Sequence, residues 1–106
     1  MYEKLIRGGK VAVLYSPGYG AGWYTWNEGH SDARGLVFDK ELVQAVLDEN
    51  IDLAIEIAKR KYPDCYTGGA KDLKVAWLEE GEQFEIREYD GSERIECHGH
   101  KVWLEA

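Results

Sequence analysis

Cysteine is scarce in this chain: Cys65 and Cys97 are the two among 106 residues. That number excludes a disulfide scaffold, and both are read as thiols. Long apolar runs are missing as well, since nothing approaches the roughly eighteen apolar residues of a membrane-spanning helix. The opening Met1-Tyr2-Glu3-Lys4-Leu5-Ile6-Arg7 turns polar at Gly8-Gly9-Lys10, without the apolar region and small-residue cleavage site of a secretory leader. There is no Asn-x-Ser/Thr sequon, and the expectation is a cytoplasmic protein with no membrane partner. Positive charge is in deficit, with 13 Lys and Arg against 20 Asp and Glu and a net charge of -7. A surface of that sign repels polyanions, so nucleic acid is not an expected partner.

What is present suits a small folded core. The hydrophobic share is 44%, with four Trp, seven Tyr and two Phe, enough apolar area to offset chain entropy despite the charge. The length fits one domain spanning residues 1–106. The Val11-Ala12-Val13-Leu14-Tyr15 run predicts a strand over Lys10 to Tyr15 covered on both faces. Ser16-Pro17-Gly18-Tyr19-Gly20-Ala21-Gly22-Trp23 then breaks the strand into a tight loop, and Trp23 to Arg34 has no clear period. Asp39 reads as the N-cap of a helix running to about Glu49, with Leu42, Val43, Ala45, Val46 and Leu47 on its core face. Asn50 caps a second helix to Tyr62, which Pro63 stops. Its core face reads as Ile51, Ala54, Ile55, Ala58 and Tyr62, with Leu53 and Ile57 on a flank that needs the preceding helix or another subunit. Strands are expected over Leu73 to Leu78, Gln83 to Tyr89 and Ser92 to Cys97, the last two joined by an Asp90-Gly91 hairpin turn. A further short strand is expected around His100 to Leu104. The fold class is therefore α+β, two helices packed on a small mixed or antiparallel sheet in the order β-α-α-β-β-β. The aromatic content and the two-sided apolarity of the second helix also lead to an expected homodimer.

The Gly-rich loop is the most unusual segment. Gly18, Gly20 and Gly22 permit close backbone approach, and Tyr19, Trp23, Tyr24 and Trp26 offer rings for stacking. Together they could hold a nucleobase and turn N–H groups toward a phosphate. The match to nucleotide loops is weak, because counting G-x-G-x-x-G from Gly18 ends on Trp23 and no Gly-Lys-Ser/Thr follows. The competing reading is a bend whose aromatic residues close the core or an oligomer seam. His30, flanked by Glu28 and Asp32, supplies acid-base residue types and would form a polar wall of the same pocket. The spacing defines no catalytic class, and no catalytic residue is assigned. Cys97, His98 and His100, completed by Cys65 or His30, could ligate zinc, but a second compact ligand pair is missing, so no metal and no cofactor is expected. Lys59-Arg60-Lys61 reads as a solvated helix end and Glu79-Glu80-Gly81-Glu82 as a charged hairpin turn.

Ser16-Pro17-Gly18-Tyr19-Gly20-Ala21-Gly22-Trp23, Trp77-Leu78-Glu79-Glu80-Gly81-Glu82-Gln83-Phe84 and Glu88-Tyr89-Asp90-Gly91-Ser92-Glu93 resemble a family of small uncharacterised proteins from bacteriophages and bacterial genomes. That resemblance implies a cytoplasmic protein of phage or prophage origin that engages a host protein or sequesters a ligand, and it carries over no catalytic residue. The functional expectation is a non-enzymatic binding protein for a small nucleotide-like ligand or a host protein, with Gly18, Tyr19, Gly20, Gly22, Trp23, Trp26 and His30 at the site. The alternatives are a small enzyme using His30 with Glu28 or Asp32, and a purely structural or protein-protein interaction module.

Overall fold

The computed structural model describes residues 2–18, 22–97 and 104–106. Strands β1 (Ile6–Arg7) and β2 (Lys10–Tyr15) form a hairpin, followed after a long loop by helices α1 (Ala33–Phe38), α2 (Lys40–Leu47) and α3 (Ile51–Lys61). A 3-10 turn over Gly68–Asp72 leads into β3 (Lys74–Glu79), β4 (Gln83–Tyr89), β5 (Ser92–Glu96) and β6 (Leu104–Glu105). The α+β class and the order of the main elements agree with the sequence reading. Among the described residues the strands form two three-stranded antiparallel sheets, β1-β2-β3 and β5-β4-β6, where one small sheet was expected. The Glu80–Glu82 turn therefore carries the chain from one sheet to the other rather than closing a hairpin. Of the expected terminal strand, Leu104 lies in β6 and residues 100–103 lie outside the described residues.

β2 is central to its sheet and Val11, Ala12, Val13 and Leu14 are all fully buried, so both of its faces are covered. Helices α1 and α2 lie against it, and α2 also meets β3. Phe38, at the end of α1, stacks on Tyr2 at 6.2 Å and meets Phe84 of β4 edge-on at 6.1 Å, which joins the helical layer to the second sheet. The Asp90-Gly91 turn has φ of 53° and 85°, the doubly left-handed geometry that matches strand twist in a two-residue hairpin. The short α1 starts at the end of the Trp23 to Arg34 stretch that has no sequence period, and no helix was expected there. It is six residues long, too short to declare an amphipathic repeat.

Both helix caps are those expected. The Asp39 side chain accepts from the Glu41 and Leu42 amides, and that of Asn50 accepts from Leu53. The core face of α3 is rotated from expectation, however. Ala54, Ile57, Ala58 and Tyr62 are buried, whereas Ile51 is 42% and Leu53 37% exposed. The packing of α2 against α3 draws Ile57 inward and leaves Ile51 at the helix start in solvent.

Asp39 does more than cap. It is 1% exposed and also receives the Tyr62 hydroxyl at 2.5 Å and Lys61 Nζ at 2.9 Å, tying the start of α2 to the end of α3. Burial, and then the Asp39 carboxylate, push the Tyr62 phenol far above its ordinary 10.0. The folded protein thus keeps a proton that the unfolded chain releases above pH 10, and this contribution, full below pH 10, is lost as pH rises beyond it. Denaturation midpoints should fall steeply above pH 10, and Tyr62→Phe should flatten that fall by up to about 1.4 kcal/mol per pH unit. An unchanged slope in urea titrations of the variant would contradict the assignment.

Candidate functional site

The long loop after β2 is organised around a buried carboxylate. The hairpin turn sets the register of β5 on β4, with Glu88 opposite Glu93 and Ile86 opposite Ile95. Two-residue alternation then places Glu93 on the same face as Ile95, toward the loop. Glu93 is 2% exposed. Its Oε1 accepts from the Ser16 amide at 3.0 Å, and its Oε2 accepts from the Trp23 amide at 3.3 Å, the Thr25 amide at 2.8 Å and Thr25 Oγ1 at 2.7 Å. The Glu93 amide donates in turn to Ser16 O at 2.8 Å. Among the described residues no cation pairs with it, in contrast to Asp39 with Lys61. Hydrogen bonds to a charged group contribute about 1.5–3 kcal/mol each, and an unpaired buried charge costs more than any one of them returns, so the set must hold together. The Ser16, Trp23 and Thr25 amides are thus engaged by this internal anion.

The expected site residues part company around that clamp. Tyr19 and Gly20 lie outside the described residues. Gly18 packs against the Asp72 side chain, where a Cβ would collide. Trp23 is fully buried and its indole N–H donates to Leu36 O at 2.6 Å, so its ring closes the core rather than facing a ligand. Gly22 lies beneath Trp26, leaving no room for a side chain of its own. Trp26 is 45% exposed and meets Tyr66, 46% exposed, with ring centroids 5.1 Å apart and planes inclined at 37°.

The aromatic pair rests on a rigid support. Asn27 is buried, and its side chain donates to Trp23 O and Tyr66 O and accepts from the Tyr66 amide, each at 2.7 Å. The Gly69 amide donates to Gly22 O, and Ser16 Oγ to Gly69 O, each at 3.0 Å. Half-buried His30 adjoins the same patch, its Nδ1 3.7 Å from Cys65 Sγ and accepting the Asp32 amide at 3.1 Å. That amide contact makes Nδ1 an acceptor. Burial first, then Asp32 and Asp64, raise the Cys65 thiol above its ordinary range, which keeps it protonated and weakens it as a nucleophile.

Compared with protein-family models, curated proteins and solved structures, the chain matches none. The chemistry therefore has to be read from the site alone. Among the described residues no cluster of three or more His, Cys, Asp or Glu could hold a metal, while His98 and His100 of the zinc reading lie outside those residues. Cys97 is half-buried, its thiol raised by burial and then by Glu82. Two larger clefts lie elsewhere. One, of about 600 Å³, borders the Asp39 cluster at Tyr2, Gln44 and Lys61. The other, of about 550 Å³, lies between Tyr24, Glu28, Arg87 and Arg94. There burial, and then Glu28, raise the Tyr24 phenol, and Arg87 and Arg94 are already paired with Glu85 and Glu96.

Sequence reasoning passed over Glu93, Asn27 and Tyr66. The signal for Glu93 was its phase: it alternates with the strand's exposed residues together with Ile95 and Cys97, so a hairpin half covered by protein places it inward. Replacing Glu93 with Gln keeps the shape but points an amide NH2 at N–H donors. Glu93→Gln should lower unfolding free energy by about 2–4 kcal/mol in denaturant titrations. A loss under about 0.5 kcal/mol, the range of an ordinary surface change, would sink the clamp.

Proposed function

We propose that this chain is a non-enzymatic binding protein whose recognition surface is the Trp26–Tyr66 pair, with His30 and Cys65 at its border, and whose ligand presents a planar ring. The observation that carries the reading is two adjacent aromatic rings, each nearly half exposed, on a backbone held by Asn27 and by the Gly69-to-Gly22 hydrogen bond. A large apolar surface left in water has a hydration cost, and a rigid support reduces the ordering entropy that a partner must otherwise offset. A stacked base gains about 1–3 kcal/mol on such a ring.

The acid-base alternative has less support. His30 Nδ1 is engaged by the Asp32 amide rather than by a carboxylate, and the neighbouring thiol is held protonated. Neither feature activates a nucleophile.

Adenosine is a suitable neutral planar probe. Its addition should shift the NMR signals of residues 22–30 and 65–68. Trp26→Ala and Tyr66→Ala should each weaken it about tenfold. Asn27 binds the Tyr66 backbone, so removing the Tyr66 ring leaves the support in place. Equal binding by wild type and both folded variants would reject this surface.

A further inference from the structure

The groove beside the aromatic pair is lined by two lysines that enter no ion pair among the described residues. A Cβ at Gly68 would collide with the Tyr66 phenol, so the outer end of that ring lies over Gly68. Gly68 in turn lines a groove of about 240 Å³ with Ile55, Lys59, Thr67, Ala70 and Lys71. Its apolar lining comes from Ile55 and Ala70, its cations are Lys59 and Lys71, and no carboxylate lines it. A second groove, of about 340 Å³, shares Lys71 and adds Lys74, with Asp72 as its one acid.

The ion pairs among the described residues lie elsewhere. Lys10 pairs with Glu79, Arg60 with Glu41, Lys61 with Asp39 and Glu41, and Arg87 and Arg94 with Glu85 and Glu96. Among the described residues Lys59, Lys71 and Lys74 enter no ion pair, although the chain has 20 acidic side chains to offer. A net charge of -7 repels an anion at most of the surface. The groove at Gly68 departs from that balance, with two lysines and no carboxylate in its lining.

We infer that the Lys59–Lys71 groove is an anion subsite, and that the ligand is a planar aromatic ring bearing a phosphate, of nucleoside monophosphate size. The inference rests on the reading of Trp26 and Tyr66 as a stacking surface, and adds the group attached to the ring. Stacking alone is indifferent to charge. Two lysines at the end of the platform are not: each exposed ammonium contact changes affinity a few-fold, so the two together give about tenfold.

The test compares adenosine, adenosine 5′-monophosphate and inorganic phosphate by calorimetry at low salt. The monophosphate should bind about tenfold tighter than adenosine, and high salt should erase the difference. Lys59→Met with Lys71→Met should reduce the monophosphate to the affinity of adenosine, leaving adenosine itself unchanged. Lys40→Met, which removes a lysine lining a different cleft, should change neither. Equal binding of adenosine and its monophosphate, or a preference retained by the double variant, would overturn the subsite while leaving the aromatic surface standing. Phosphate alone binding as tightly as the monophosphate would overturn the pairing of ring and anion. Binding of none of the three would overturn both readings.

Discussion

The Glu93 carboxylate is the constraint on which the rest of the site depends. A chain segment rich in glycine and lacking regular structure has little to hold it, because each residue ordered costs on the order of 1–2 kcal/mol of backbone entropy. Here one side chain from β5 gathers donors from both sides of the loop, Ser16 at its start and Trp23 and Thr25 toward its end. That closure fixes Trp23 in the core and sets the turn from which Trp26 projects. Trp26 remains outside because Gly22 lets its ring lie on the backbone, and it meets Tyr66 because Asn27 binds the Tyr66 peptide.

Asp39 plays a related part in the helical layer, with a different balance. It caps α2 by its side chain and receives Lys61 and Tyr62 from the end of α3, so its charge is neutralised by a cation as well as by donors. Glu93 has donors alone among the described residues. Buried carboxylates held in this way are intolerant of losing a partner, because the remaining charge keeps its desolvation cost. The two sites divide the work: Asp39 joins helix to helix, and Glu93 joins the second sheet to the loop that leaves the first.

Regular structure was legible where a repeat or a stereochemical rule spans several residues. The apolar run of β2, the Asp39 and Asn50 caps and the Asp90-Gly91 turn each rest on such a rule, and each appears as expected. The face of α3 was less legible because Ile51 and Ile55 lie on one side of the helix and Leu53 and Ile57 on the opposite side, and only tertiary packing selects Ile57. The division into two sheets depended on partners distant in sequence. The loop was read as a place where backbone N–H groups could turn toward a ligand's phosphate; the Ser16, Trp23 and Thr25 amides instead meet Glu93, about seventy residues away in the chain. Trp23 and Trp26 are three residues apart and have similar chemistry, yet one is fully buried and the other 45% exposed. No local pattern separates them; the long-range bonds of Glu93 and Asn27 do.

Amide hydrogen exchange tests the clamp most directly, because loop amides without a regular ladder ordinarily exchange through small local openings. Three such amides, those of Ser16, Trp23 and Thr25, donate to the buried carboxylate. The account predicts that all three exchange as slowly as the β2 amides of Ala12 to Leu14, requiring opening of the whole domain. Exchange of Trp23 and Thr25 at the rate of an exposed loop, while β2 stays protected, would contradict it.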